Sequence, residues 1–173
     1  ERVDRAMSER LRARRAAFEQ RRVAGRVVDG HGDLHLAHVW FESGAQTPIA
    51  IDCIEFDAEL RRIDVAAELA FFAMDLGYRG RPDLAERFLR RYATETDDYA
   101  VYPVVDYHLV HRALVRAAVA GVAAAEPEIP EAQRAAAASS AAAHLAWAGN
   151  HLERPHRAAL VLVCGFVGTG KSR

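Results

Sequence analysis

The stretch Val28-Asp29-Gly30-His31-Gly32-Asp33-Leu34-His35-Leu36-Ala37-His38-Val39, followed by Ile51-Asp52-Cys53-Ile54-Glu55-Phe56-Asp57, decides how the rest of the chain is read. Gly25 to Gly32 breaks the preceding helical pattern, and Val27-Val28 is a very short extended piece. Val39-Trp40-Phe41 and Ile49-Ala50-Ile51 read as short strands, and Gly44 and Pro48 punctuate the segment between them, so a β-hairpin is expected. That hairpin would bring Asp33, on the loop before its first strand, close to Asp52 at the end of its second. Two carboxylates so placed can divide a phosphoryl transfer. One accepts a hydroxyl proton and the other holds Mg²⁺ on ATP.

Outward from this segment the pattern is helical. Residues 2–24 read as one charged helix with Val3, Met7, Leu11 and Phe18 as a partial apolar stripe. Its arginines read as a solvated face. Asp64 is placed to cap a helix with the stripe Val65, Leu69, Phe72 and Leu76, ended by Gly77 and Gly80. Pro82 opens the next helix, with Leu84, Phe88, Leu89 and Tyr92 inward. A third helix follows Pro103, with Tyr107, Val110, Leu114 and Ala117 on one face and His108, Arg112 and Arg116 on another. An alanine-rich helix from about Glu131 to Leu152 presents a small-residue face suited to close packing.

Past Pro155, Ala159-Leu160-Val161-Leu162-Val163-Cys164 is a continuous apolar run of the kind a buried parallel strand shows. It leads into Gly165-Phe166-Val167-Gly168-Thr169-Gly170-Lys171-Ser172, which fits G-x-x-x-x-G-K-[ST]. Gly165, Gly168 and Gly170 let the backbone turn its N–H groups onto phosphate. Thr169 lies in the same wrap. Lys171 would reach the β- and γ-phosphates, and the Ser172 hydroxyl would ligate Mg²⁺. A chance glycine-rich turn is the alternative. Of 23 basic residues, Lys171 is the single lysine, and it occupies the position where arginine does not substitute.

The chain has 173 residues, 51% of them hydrophobic, which suffices for a packed core. A formal net charge of −1 gives no footprint for nucleic acid or an anionic membrane. No apolar run reaches the ~18 residues of a membrane span, and the arginine-rich start has no signal-peptide core. Cys53 and Cys164, far apart in apolar contexts, read as two buried thiols of a cytoplasmic protein. Beginning at Glu1 and stopping one residue past the P-loop, the chain reads as a fragment of a longer protein.

His31-Gly32-Asp33-Leu34-His35 followed by Ile51-Asp52, with Arg62-Ile63-Asp64-Val65 and Glu68-Leu69-Ala70-Phe71, resembles the aminoglycoside phosphotransferase family of kinase-like folds. With the terminal P-loop, the chain resembles two-domain bacterial proteins that join such a domain to a P-loop kinase or ATPase domain. The resemblance covers essentially the whole chain. It implies an α+β, mostly helical fold. Residues 1–154 would be a protein-kinase-like C-terminal lobe with a β-hairpin at the catalytic loop, its small lobe lying upstream. Residues 155–173 would be the first strand and P-loop of an α/β NTPase domain. It implies Asp33 as catalytic base, Asp52 as metal ligand, ATP and Mg²⁺ as cofactors, and a small-molecule hydroxyl as substrate. His38 stands where the family has a metal-binding asparagine, and neutral imidazole is a poor ligand for Mg²⁺. His35 is implied to hold the loop, and His31 reads as structural. A zinc site from His31, His35 and His38 is an alternative, as is a solvated loop face for Glu55 and Asp57 beside a role with cations. The rival to an enzyme is a degenerate regulatory or binding module beside an active P-loop domain.

Overall fold

The computed structural model describes residues 2–44 and 47–153. It is mostly helical with two small antiparallel sheets, in agreement with an α+β class. The helices are α1 (Arg2–Ala13), α2 (Arg15–Val23), α3 (Val65–Tyr78), α4 (Pro82–Thr96), α5 (Tyr102–Ala125) and α6 (Glu131–Glu153). The strands are β1 (Val27–Asp29), β2 (Val39–Trp40), β3 (Ile49–Ala50) and β4 (Arg62–Asp64). No helix among the described residues is long and apolar enough to cross a membrane.

Helix α3 is the centre. It packs against α4 and α5, and α5 in turn lies along α6. The expected stripe understates its burial: Ala66, Ala70, Phe71, Ala73 and Met74 are also sealed from solvent. From the other helices Leu89, Ala93, Val101, Val104, Val110, Ala113 and Ala148 complete the core, with Met7 at its margin. The small face of α6 does allow close approach. Trp147 lies over Gly77, where a Cβ would come 3.2 Å from the ring. Gly77 therefore does not end α3, as expected from the sequence, but makes room within it; the chain turns at Gly80, whose φ of +78° requires glycine.

Two further expectations are corrected. Residues 2–24 form two helices, not one. The break is at Arg14, whose guanidinium donates to the Pro103 carbonyl at 2.8 Å. The short extended piece at Val27 extends to Asp29 and has a partner absent from the sequence reading: β1 pairs with β4, Val28 opposite Ile63. The expected hairpin forms, with Val39 opposite Ala50 and Trp40 opposite Ile49.

The pieces meet at Arg21, which is 1% exposed. Its guanidinium donates to both oxygens of Asp64 at 2.9–3.0 Å and to both oxygens of Asp98 at 2.8–3.0 Å. Asp64 in turn accepts the Ala66 N–H at 2.7 Å and so caps α3 as expected. Tyr92 donates its hydroxyl to Asp98 at 2.9 Å, which ties in α4. Burial raises the Asp98 carboxyl, but the bonds from Arg21 and Tyr92 outweigh it and hold the group below its ordinary value. A depressed folded value makes this contribution complete above the unfolded aspartate value of ~3.9 and drains it only as pH falls through the lower folded one. Arg21→Met leaves two buried carboxylates unpaired, at a cost of roughly 3–5 kcal/mol at neutral pH that should shrink at pH 4 as the unpaired carboxyls take up protons. Urea unfolding at pH 7 and pH 4 checks this; equal stability of variant and wild type at both would remove the cluster from the account.

Candidate active site

The His-Gly-Asp loop is fastened to α3 by backbone bonds to carboxylates. Glu68 Oε2 accepts the N–H groups of His31 at 2.9 Å and Gly32 at 3.0 Å. Two helical turns along the same face, Asp75 Oδ2 accepts the Leu36 N–H at 3.0 Å. The Arg61 carbonyl takes the Gly30 N–H at 2.9 Å. Both glycines lie in close quarters, and Gly32 also has a left-handed backbone. A Cβ on Gly30 would collide with the Glu68 carboxylate, and one on Gly32 would lie 2.9 Å from Ile54 Cδ1 at a φ of +83°.

The histidines then take definite tautomers from their partners. His31 Nε2–H donates to the Ile51 carbonyl at 2.8 Å, linking loop and hairpin, while its Nδ1 faces the Asp33 N–H at 3.4 Å. His35, buried against Phe71, accepts the Ala37 N–H on Nδ1 at 3.3 Å, which points Nε2–H toward Asp33 Oδ2 at 3.6 Å. His38 Nδ1–H donates to the Asp33 carbonyl at 2.9 Å and lies 3.7 Å from its carboxylate; the ring's other nitrogen, Nε2, lies 3.3 Å from Asp52 Oδ2. Asp33 and Asp52 are thus brought to the two ends of one imidazole. Burial raises the Asp33 carboxyl, but the hydrogen bond from His35 and the charges beside it, Arg116 on α5 among them, hold it below the ordinary carboxylate range.

Asp33 is partly covered, whereas the Asp52 side chain is 77% exposed. Asp52 has a φ of +63°, a left-handed conformation that aspartate tolerates better than most residues. Ligand atoms of Asp33, His35 and His38 lie within 4.8 Å of one another. The histidine triplet weighed for zinc is not what gathers here: His31 spends its Nε2–H on the hairpin. Glu55 and Asp57 are exposed, and Asp57 accepts the Glu59 N–H at 2.9 Å to cap a 3-10 turn at Ala58–Leu60. Arg112 lies 4.8 Å over the Phe71 ring and donates to the Ala67 carbonyl at 3.2 Å, which holds α5 to α3 behind the loop. The residues of the expected P-loop, Gly165, Gly168, Thr169, Gly170, Lys171 and Ser172, and Cys164 before them, lie outside the described residues.

Sequence reasoning missed Glu68 and Asp75 as the loop's anchors. Their signal was present: two acids seven residues apart in an otherwise apolar helix, Val65-Ala66-Ala67-Glu68-Leu69-Ala70-Phe71-Phe72-Ala73-Met74-Asp75-Leu76.

The chain is similar to two mycobacterial proteins, "Uncharacterized protein Rv2004c" of Mycobacterium tuberculosis and "Uncharacterized protein Mb2027c" of Mycobacterium bovis. Each is 38% identical over 171 residues, which is 99% of this chain and 32% of the relative. The chain therefore spans about a third of the length of the curated relatives it matches. No protein-family model matches the chain, and no solved structure matches it.

Glu68→Ala should free the His31 and Gly32 amides at a cost of about 1–3 kcal/mol locally, while Glu68→Gln, whose amide oxygen still accepts, should cost less. Amide hydrogen exchange read at His31 and Gly32 measures this. Unchanged protection in Glu68→Ala would mean that the carboxylate does not hold the loop.

Proposed function

We propose that the parent protein is an ATP-dependent phosphotransferase acting on a small-molecule hydroxyl, with residues 1–154 as its kinase-like large lobe. The observation that carries this reading is the pair of carboxylates at the two ends of the His38 ring, Asp33 in a pocket of backbone bonds and Asp52 open to solvent. Asp33 is suited to receive a hydroxyl. Its carboxylate is ionised at neutral pH, oriented by His35, and only partly covered. It would accept the substrate hydroxyl as a hydrogen-bond donor, orient it in line with the phosphoryl group, and take its proton. Glu68 and Asp75 position that carboxylate by fixing the backbone on either side of it.

Asp52 is the oxygen donor for a divalent ion on the nucleotide. The ion, when bound, supplies charge neutralisation on the phosphates. The donor set fits Mg²⁺ only in its carboxylate half, because the group 3.3 Å from Asp52 Oδ2 is an imidazole nitrogen. One observation favours the rival reading of a regulatory module without turnover: His38 lies against the very carboxylate that would hold the ion. Under either reading the segment from Pro155 belongs to a second nucleotide-binding domain, with Lys171 and the backbone of Gly165 to Gly170 on phosphates and Ser172 on Mg²⁺.

The experiment uses the full-length protein with ATP and a panel of small hydroxyl compounds, and reads phosphorylated product. Asp33→Asn should lower kcat by roughly 10²–10⁴ by removing the base. Asp52→Asn should lower it by a similar roughly 10²–10⁴ through loss of ion positioning. Lys171→Ala should leave this product in place while impairing any ATP turnover of the second domain. Transfer that vanishes with Lys171→Ala and survives Asp33→Asn would assign the chemistry to the P-loop domain and leave the rival reading.

A further inference from the structure

The His38 ring poses an electrostatic problem. Its Nδ1 is 2.9 Å from the Asp33 carbonyl oxygen, which can only accept, so Nδ1 carries the hydrogen. The neutral ring then has its lone pair on Nε2, and Nε2 is 3.3 Å from Asp52 Oδ2. A lone pair facing a carboxylate at that distance repels it unless something positive lies between them.

We infer that His38 Nε2 and Asp52 Oδ2 are two ligands of one divalent cation of the imidazole-tolerant kind, with Mn²⁺ favoured over Mg²⁺. A separation of 3.3 Å is what two ligands about 2.0–2.2 Å from a common ion span. The bond from Nδ1–H to a backbone carbonyl is the outer contact that metal-bound histidines make, and it fixes both tautomer and ring direction before the ion arrives. His35 and Asp33 are not ligands of this ion. His35 directs Nε2–H, not a lone pair, at Asp33, and Asp33 lies at the other end of the His38 ring. Asp52 is exposed, so the ion reaches the pair from solvent with water or phosphate oxygens filling its remaining positions. An imidazole beside one carboxylate is tolerated better by a first-row transition ion such as Mn²⁺ than by Mg²⁺, which demands oxygen.

This deepens the phosphotransfer reading by naming its ion, but the geometry of the pair stands without that reading. The test therefore omits nucleotide and measures no turnover. Mn²⁺ is titrated into the full-length protein, free ion is followed by its paramagnetic resonance, and Mg²⁺ is added as competitor. Pulsed spectra of the bound ion read nitrogen coupling from a directly ligated imidazole. The expected result is a nitrogen-coupled Mn²⁺ that Mg²⁺ displaces only in large excess. Asp52→Asn abolishes this binding. His38→Asn removes the nitrogen coupling and narrows the preference for Mn²⁺ over Mg²⁺ by at least roughly tenfold, the lower end of what even an outer partner of a metal ligand is worth. Bound Mn²⁺ without nitrogen coupling in the wild type would overturn the inference, as would no binding at all, which would leave a proton between the two side chains. Nitrogen-coupled Mn²⁺ that survives Asp52→Asn would also overturn it. The wild-type spectrum and Asp52→Asn decide the matter even if His38→Asn does not fold. A protein that binds Mn²⁺ here and transfers no phosphoryl group would end the reading as a phosphotransferase and leave this one standing.

Discussion

Arg21 lies between Asp64 and Asp98 with almost no exposure, and the position of the site depends on it. Buried ion pairs are a poor source of net stability, since well-packed apolar groups often do as well. What a guanidinium offers here is direction. Its planar fork bonds two carboxylates at set angles, which a hydrophobic contact does not do. One of those carboxylates caps α3, so the pair fixes where that helix starts and how it is rotated. Rotation matters because Glu68 and Asp75 share a stripe of α3 and between them hold the loop from His31 to Leu36. A register shift of one residue in α3 would swing both acids by about 100° and leave the loop amides without acceptors.

The same logic explains why acids stand in a helix that is otherwise buried. An uncompensated carboxylate there would be costly. Glu68 and Asp75 are compensated by backbone N–H groups from a loop that cannot satisfy them within itself. Loop and helix each resolve the other's unmet polar groups. Glu68 Oε1 is buried with no hydrogen-bond partner among the described residues, but the Arg112 charge from α5 lies close enough to couple to Glu68. The site is therefore braced from two helices, α3 by bonds and α5 by charge and by the packing of Arg112 on Phe71.

Local signals in the sequence carried most of the helices and the hairpin. Pro82, the Asp64 cap, Gly80 and the apolar spacing in α4 and α5 act within a few residues, and each is where the pattern put it. What was not legible depends on distant partners. The break at Arg14 has no glycine or proline to mark it and coincides with a bond to Pro103. The pairing of β1 with β4 joins three-residue strands across an intervening hairpin, too short for periodicity to register. Gly77 has the composition of a helix end but the role of a packing gap beneath Trp147. At the site, the residue types at 33, 38 and 52 were legible from their pattern, but the direction of each imidazole was not. A histidine's free nitrogen is set by whatever the other nitrogen bonds, and for His38 that is the Asp33 carbonyl.

The two aspartates are held very differently, and the difference has mechanical consequences. Asp33 belongs to the braced loop. Asp52 follows a strand of two residues in a hairpin whose Trp40, Phe41, Ile49 and Ile51 are exposed. A two-stranded hairpin of that size has little stability of its own. Its place comes from three bonds to the loop side: His31 Nε2–H to the Ile51 carbonyl, and the N–H groups of Ile51 and Ile54 to the carbonyls of His38 and His31. The hairpin is thus positioned by the histidine loop, which is positioned by α3, which is positioned by Arg21. Asp52, the more exposed of the two aspartates, stands at the far end of that order of support. Groups that must be in register before a reaction belong on the stiff part, and groups that meet an incoming ligand gain from the freedom of the loose part. Under the proposed phosphotransfer, that order of support would suit Asp33 to the first role and Asp52 to the second.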